Sequence, residues 1–96
     1  MHAGFCRIEL RLYGVRSLKA KRALILPLKA KLQSLFNVAC AEVAELNHPQ
    51  LAVLGFSCVS NSGVQARKIM DQVVNHLQSS KAQFEVVDHC LEVTVF

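Results

Sequence analysis

Residues 4–22, GFCRIELRLYGVRSLKAKR, contain the change of hydrophobic period that decides the fold. Up to Tyr13, apolar and polar residues alternate, which is typical of a strand with one buried face. The side predicted to face inward carries Cys6, Ile8, Leu10 and Leu12. Gly14 ends the alternation, and Ser17 is a favourable N-cap for a helix. The stretch therefore predicts a strand over residues 4–13 followed directly by a helix.

The residues after Ser17 predict an amphipathic helix from about Leu18 to Phe36. At 3.6 residues per turn its apolar arc comprises Leu18, Ile25, Leu28, Leu32, Leu35 and Phe36. Pro27 lies inside this helix and is expected to kink it, because proline lacks the amide hydrogen. Lys21 falls within the apolar arc, so it must extend to solvent along its own stem or meet a partner.

The rest of the chain predicts two strands, a second helix and a last strand. Residues 37–46 and 51–60 alternate like strands, a helix runs from residues 61–63 to about Ser79, and residues 84–95 form the final strand. The order βαββαβ predicts one α+β domain over residues 1–96. The economical solution is a ferredoxin-like sandwich: an antiparallel four-stranded sheet, order 4-1-3-2, with two helices on one face.

This topology brings Lys21 close to Glu42. The first and second strands run parallel with the third between them, so the first helix begins at the sheet end where the second strand finishes. Either charge would be costly to bury alone. The sequence therefore predicts a structural charge pair between Lys21 and Glu42.

Composition limits the class of protein. The 96 residues are 52% hydrophobic with a net charge of +4, which excludes disorder. The longest apolar runs are far too short to span a bilayer, and no secretory signal pattern is present. A cytosolic domain without a membrane partner is expected.

The four cysteines, Cys6, Cys40, Cys58 and Cys90, are expected to be buried thiols. No pair has the C-x-x-C spacing of a metal or redox site, and each lies in a predicted strand. The four histidines are scattered over different elements, and no metal-ligand spacing occurs. The sequence therefore predicts neither a metal nor a cofactor.

Charge is distributed unevenly along the chain. Residues 1–36 hold eight Lys and Arg against one acid, a balance of +7, whereas residues 37–96 hold three against six, a balance of −3. A basic half suggests an anionic partner. The residues proposed for nucleic-acid or anion binding are Arg16, Ser17, Lys19, Arg22 and Lys29, with Arg7 and Arg11 as a secondary set. The alternative is an ordinary solvated helix start.

The outer sheet face is the second candidate surface. Aromatics interleaved with arginines on the first strand, Phe5 and Tyr13 with Arg7 and Arg11, suit stacked bases and phosphates. However, alternation directs Phe56 inward, which removes a second stacking platform. The remaining outward residues are small and aliphatic, and such a face should not remain in water. Self-association through the sheet face or an edge, giving a homo-oligomer such as a dimer, is therefore favoured.

An enzyme is not indicated, and no catalytic residue is predicted. No Ser/His/Asp or Cys/His grouping is evident from spacing. Acylphosphatases use this topology with an arginine in the first loop, where this chain has Arg16, but their longer glycine-containing loop signature is missing. Glu42 stands where a water-positioning amide would be wanted, and a carboxylate there would repel phosphate.

The sequence resembles the small bacterial family DUF503, or YlxP-like proteins, over nearly the whole chain. The matching segments are Arg7–Leu12, Arg16–Lys19, Lys21–Arg22, Phe36–Val38, Ala41–Val43, Val59–Asn61 and Glu85–Asp88. R-S-L-K-x-K-R followed by F-N-V-x-x-A-E is specific in combination. The chain departs from the family in the short connection between the second and third strands, at residues 47–49, and in the cysteines at strand positions that are usually aliphatic.

The resemblance implies a ferredoxin-like fold and no settled catalytic residues. Members occur beside genes for translation initiation and ribosome maturation, which implies a role near RNA or the ribosome. The expected function is thus a non-enzymatic protein that binds RNA or a ribosomal partner through the basic start of the first helix. The alternatives are a homo-oligomeric small-ligand-binding module and an acylphosphatase-like enzyme.

Overall fold

The computed structural model describes all residues, 1–96, as two helices on a four-stranded sheet. The elements are β1 (His2–Leu12), α1 (Leu18–Phe36), β2 (Ala39–Ala44), β3 (Leu51–Ser60), α2 (Gly63–Gln78) and β4 (Phe84–Val95). The predicted order βαββαβ is confirmed, and β2 is shorter than the predicted 37–46. Neither helix is long and apolar enough to cross a membrane.

The sheet has the strand order β2-β3-β1-β4 with every neighbouring pair antiparallel. Read from the other edge this is 4-1-3-2, so the predicted α+β fold is confirmed. β1 and β3 are the central strands, and they carry more buried residues than the edge strands β2 and β4.

The core lies between the inner sheet face and the helices. All four inward residues predicted for β1 are buried, and Leu54, Phe56 and Cys58 of β3 are buried with them. The buried face of α2 consists of Ala66, Met70, Val73, Val74 and Leu77. This stripe at steps of three and four residues places α2 flat on the sheet.

Gly4 allows α2 to approach β1 closely. A Cβ atom at this position would lie 2.9 Å from Met70 Cγ and 3.0 Å from the carbonyl oxygen of Ala66. Any larger residue would therefore push the helix away from the sheet.

The apolar face of α1 is narrower than the sequence predicts. The buried residues of α1 are Lys21, Ile25 and Leu32, and the helix continues across Pro27. Leu35, predicted to be in the apolar arc, is 55% exposed, which corrects that prediction. The helix is rotated so that the line through Lys21, Ile25 and Leu32 faces the sheet, and Leu35 lies beyond its edge.

β4 changes phase at a bulge. Glu9 pairs with Asp88 but Leu10 pairs with Val86, so Val87 is an extra residue. Phe84 and Val86 pair with inward-facing residues before the bulge, and the odd-numbered Leu91 does so after it.

The same bulge corrects the prediction of four buried thiols. Cys6 and Cys58 are buried and Cys40 is half-buried, but Cys90 is exposed. Cys90 pairs with the outward residue Arg7, because the inserted Val87 directs the even-numbered residues after it away from the core.

Candidate nucleic-acid interface

Four of the predicted binding residues lie together at the start of α1. Arg16, Ser17, Lys19 and Arg22 occupy the turn after β1 and the first turns of the helix, and all four are exposed. We call these residues the basic corner. Lys29 lies about two turns further along α1 and is half-buried.

Ser17 acts as the N-cap that the sequence predicts. Its backbone is extended, with φ of −146° and ψ of 159°, and its Oγ accepts a hydrogen bond from the amide of Ala20 at 3.1 Å. The carbonyl oxygen of Ser17 accepts from the amide of Lys21 at 3.0 Å. The hydroxyl of Ser17 is thus committed to the helix, and the amides of Leu18 and Lys19 make no hydrogen bond within the protein.

The charges of the basic corner have no acidic partner. The two ion pairs in the structure are Arg11–Glu85 and Lys21–Glu42. The first turn of α1 contains no acidic residue. Since opposite charges do not neutralise them, the side chains of Arg16, Lys19 and Arg22 are available to an anion from solution.

Lys21 belongs to the same turn but is only 2% exposed. Its Nζ lies 2.6 Å from Oε2 of Glu42 and donates hydrogen bonds to the carbonyl oxygens of Glu45, at 2.7 Å, and His48, at 2.9 Å. Oε2 of Glu42 is buried and no donor reaches it in hydrogen-bond geometry, so its contact with Lys21 is one of charge. The predicted pair is therefore present, and two backbone acceptors that no sequence pattern reveals complete it.

These contacts hold the β2–β3 turn against the start of α1. Glu45 has a left-handed backbone with φ of +58°, and its carbonyl oxygen also accepts from the amide of His48 at 3.1 Å. The amide of Leu12 donates to the carbonyl oxygen of Gln50 at 2.8 Å, and that of Tyr13 to Gln83 at 2.7 Å. The β1–α1, β2–β3 and α2–β4 connections are therefore hydrogen-bonded to one another beside the basic corner, and these bonds hold its backbone in place.

The secondary candidates, Arg7 and Arg11, lie elsewhere, on the outward sheet face. Arg11 Nη1 is 3.9 Å from Oε1 of Glu85, with both side chains about half exposed. Arg7 lines a depression of about 190 Å³ together with Glu9, Glu45 and Asp88. Around Arg7 and Arg11, carboxylates therefore outnumber the arginines on the outward face. This excess of negative charge disfavours the binding of phosphate. The β4 bulge, which the hydrophobic pattern of the sequence does not reveal, places Asp88 on this outward face.

Tyr13, the exposed aromatic at the end of β1, also interacts with this acidic side. The neighbouring Glu85 is the main cause that raises the pKa of Tyr13, whereas the charge of Arg11 lowers it. Tyr13 thus lies beside a carboxylate, which disfavours a phosphate next to the phenol.

A second, apolar depression of about 580 Å³ lies on the outward face, with lining residues from all four strands, and we call it the sheet depression. Its walls and floor include Phe5, Arg7, Ala39, Ala41, Val43, Gly55, Ser57, Cys90 and Glu92. Cys6 and Cys40 lie beneath it, and burial raises the pKa of each thiol to about 11. These two thiols are therefore protonated at neutral pH and are poor nucleophiles.

Two observations concern the residues that an acylphosphatase-like or metal-dependent enzyme would use. Glu42 is engaged by Lys21 and is not free to position water beside Arg16. No three His, Cys, Asp or Glu side chains lie together in an arrangement that could hold a metal ion.

Sequence comparison agrees with the resemblance carried by these same segments. The family model described as "Protein of unknown function (DUF503)" matches residues 3–90. The chain belongs to the DUF503 family. It is 33% identical over 76 residues to the uncharacterized protein YlxP of Bacillus subtilis (strain 168), covering 79% of this chain and 83% of that protein. The match to DUF503 includes the basic corner, Lys21 and Glu42.

Proposed function

We propose that this DUF503 protein is a non-enzymatic cytoplasmic protein that binds RNA, free or within a ribosomal partner, through the basic corner. The observation that carries the proposal is that Arg16, Lys19 and Arg22 are exposed together at the start of α1 and none of them has an acidic partner. Phosphate contacts from such side chains supply most of the affinity of a protein for RNA.

The backbone adds to this charge. The unbonded amides of Leu18 and Lys19 carry the partial positive charge of a helix start, and the arginines lie on both sides of them. Lys29 extends the basic surface along α1 and would contact a neighbouring phosphate. A surface of this kind reads the RNA backbone and its shape rather than its sequence.

Rigidity supports the same proposal. Lys21 ties the β2–β3 turn to α1 through Glu42, Glu45 and His48, so the basic corner is formed before any partner arrives. Pre-formed sites lose less entropy on binding than flexible ones. We leave Arg7 and Arg11 out of the primary contact set because carboxylates surround them.

The test is a fluorescence-anisotropy titration of the protein with a structured ribosomal RNA fragment at two ionic strengths. Binding must weaken steeply as salt rises, because phosphate contacts release counterions. Absence of binding at low salt would end the proposal.

A matched pair of variants separates a local site from general charge. Arg16→Gln/Arg22→Gln removes two charges from the basic corner, and Arg67→Gln/Lys68→Gln removes two exposed charges from α2. We expect a loss of at least tenfold in affinity for the first pair and little change for the second. Equal losses would show that only net charge matters.

A further inference from the structure

We propose that the outward sheet face docks a second copy of this chain, with Phe5 of each copy inserted into the sheet depression of the other. This proposal goes beyond RNA binding and does not depend on it, because the residues that carry it lie outside the basic corner.

Strand pairing arranges the outward residues in rows across the sheet. From the end where β1 begins, the rows are Thr94–Ala3–Val59, then Glu92–Phe5–Ser57–Ala39, then Cys90–Arg7–Gly55–Ala41. The next rows are Asp88–Glu9–Val53 and Glu85–Arg11–Leu51. The face is thus apolar towards the start of β1 and charged towards its end.

The apolar half of the face carries both an exposed aromatic side chain and a depression that could receive one. Phe5 is 45% exposed, and Val43 at the rim is 53% exposed. Between them, small side chains leave the sheet depression of about 580 Å³. Gly55 leaves room there, since a Cβ atom would lie 2.9 Å from Cγ1 of Val43. An aromatic side chain inserted into a pocket is the usual anchor of a protein interface.

The charges at the rim favour a copy of the same chain as the occupant. Arg7 and Glu92 flank the sheet depression, one of each sign. A two-fold contact places the same patch on both sides, so each copy offers a cation to the other's anion. The row of Asp88 adjoins that of Arg7 and the row of Glu85 lies beyond it, at the charged end of the face, where water screens the repulsion between exposed carboxylates.

The area of the outward sheet face is also of the order that a dimer interface needs. About ten residues from each of β1, β3 and β4 and the six of β2 cover roughly 570 Å², at about 3.3 Å per residue and about 4.8 Å between strands. Stable complexes bury about 800 Å² per partner. The face would therefore support a dimer that dissociates on dilution, and in it the basic corner of each copy stays open to RNA.

The first measurement is the molar mass in solution, by sedimentation or light scattering, from low micromolar to near-millimolar concentration. We expect the mass to rise from 10.6 kDa to twice that value. Phe5→Glu and Ala41→Glu place a charge in the contact and should each give a monomer over the whole range. Val64→Glu adds the same charge at an 83% exposed position of α2 and should still dimerise.

A second readout identifies the face. Cys90 lies beside Arg7 in the apolar half and is the exposed thiol of the chain. Its alkylation rate should fall several-fold as wild-type concentration rises, and should be constant in Phe5→Glu. A wild-type monomer at all concentrations would overturn the proposal. So would a dimer that persists in folded Phe5→Glu and Ala41→Glu, since it would use another surface such as the edge of β4.

Discussion

The ammonium group of Lys21 lies 2.6 Å from the carboxylate of Glu42 and joins the first turns of α1 to the end of β2. Lys21 lies on the same buried line of the helix as Ile25 and Leu32. One charged side chain therefore replaces a hydrophobic contact, and in exchange it satisfies two carbonyl oxygens of the β2–β3 turn.

Removing Lys21 should destabilise the fold. We expect Lys21→Ala to lower the free energy of unfolding by about 2–3 kcal/mol, below the 3–5 kcal/mol of a fully buried pair because Glu42 is partly exposed. Urea unfolding measures this. Lys19→Ala, an exposed neighbour, should change stability by less than about 0.5 kcal/mol.

The pair should also show coupling. In a double-mutant cycle, the effects of Lys21→Ala and Glu42→Gln on the free energy of unfolding should be non-additive by about 1 kcal/mol or more. Each single change leaves the remaining partner without the opposite charge that stabilises it. Strictly additive effects would mean that the short contact does not contribute to stability.

Gly4 should not tolerate a methyl group. Gly4→Ala should lower stability by about 1–3 kcal/mol, because its Cβ would press on Met70 and on the backbone of Ala66. Gly63→Ala is the control, since its Cβ meets only the half-buried His2 ring and alanine favours the helix. Thermal unfolding of both variants checks the prediction, and equal effects would contradict it.

The half-buried and buried thiols should make the fold sensitive to alkaline pH. Burial raises the pKa of Cys6 and Cys40 from 9.0 to about 11, so deprotonation favours the unfolded chain. Their stabilising contribution is complete below pH 9 and is lost as pH rises to about 11, at no more than about 1.4 kcal/mol per pH unit for each thiol. In urea unfolding across this range, Cys6→Ala should flatten the decline, and an unchanged decline would contradict the prediction.

Tyr13 provides a direct probe of Glu85. The neighbouring Glu85 raises the pKa of Tyr13, so Glu85→Gln should lower it towards 10.0. The chain has one tyrosine and no tryptophan, so absorbance at alkaline pH reports this phenol alone. Glu92→Gln, on the same strand but in the row of Phe5, should leave the titration unchanged.

The salt dependence of RNA binding should distinguish the basic corner from the sheet. Loss of one phosphate contact in Arg16→Gln should reduce the slope of log K against log salt by about 0.7–0.9. Arg11→Gln should leave the slope as it is, because Arg11 faces Glu85. Anisotropy titrations at several salt concentrations give both slopes, and a reversed pattern would place the RNA on the sheet.

Hydrophobic period determined the element order and most of the core, and the sheet order followed from that element order and the rules of chain topology. Alternation in β1 and the Ser17 cap are local features, because they depend on neighbours within a few residues. Lys21 and Glu42 could be paired from the sequence because both were charges in apolar positions of a topology that makes them neighbours.

Only the tertiary structure decided which residues share the outward face. The extra residue Val87 reverses the phase of β4, so Asp88 lies beside Arg7 and Cys90 is exposed. The hydrophobic period of the sequence does not indicate this bulge. Likewise, the rotation that exposes Leu35, and the carbonyl oxygens of Glu45 and His48 around Lys21, arise from packing between distant segments. Sequence patterns specify the elements, whereas register, rotation and backbone acceptors are fixed only when the elements pack together.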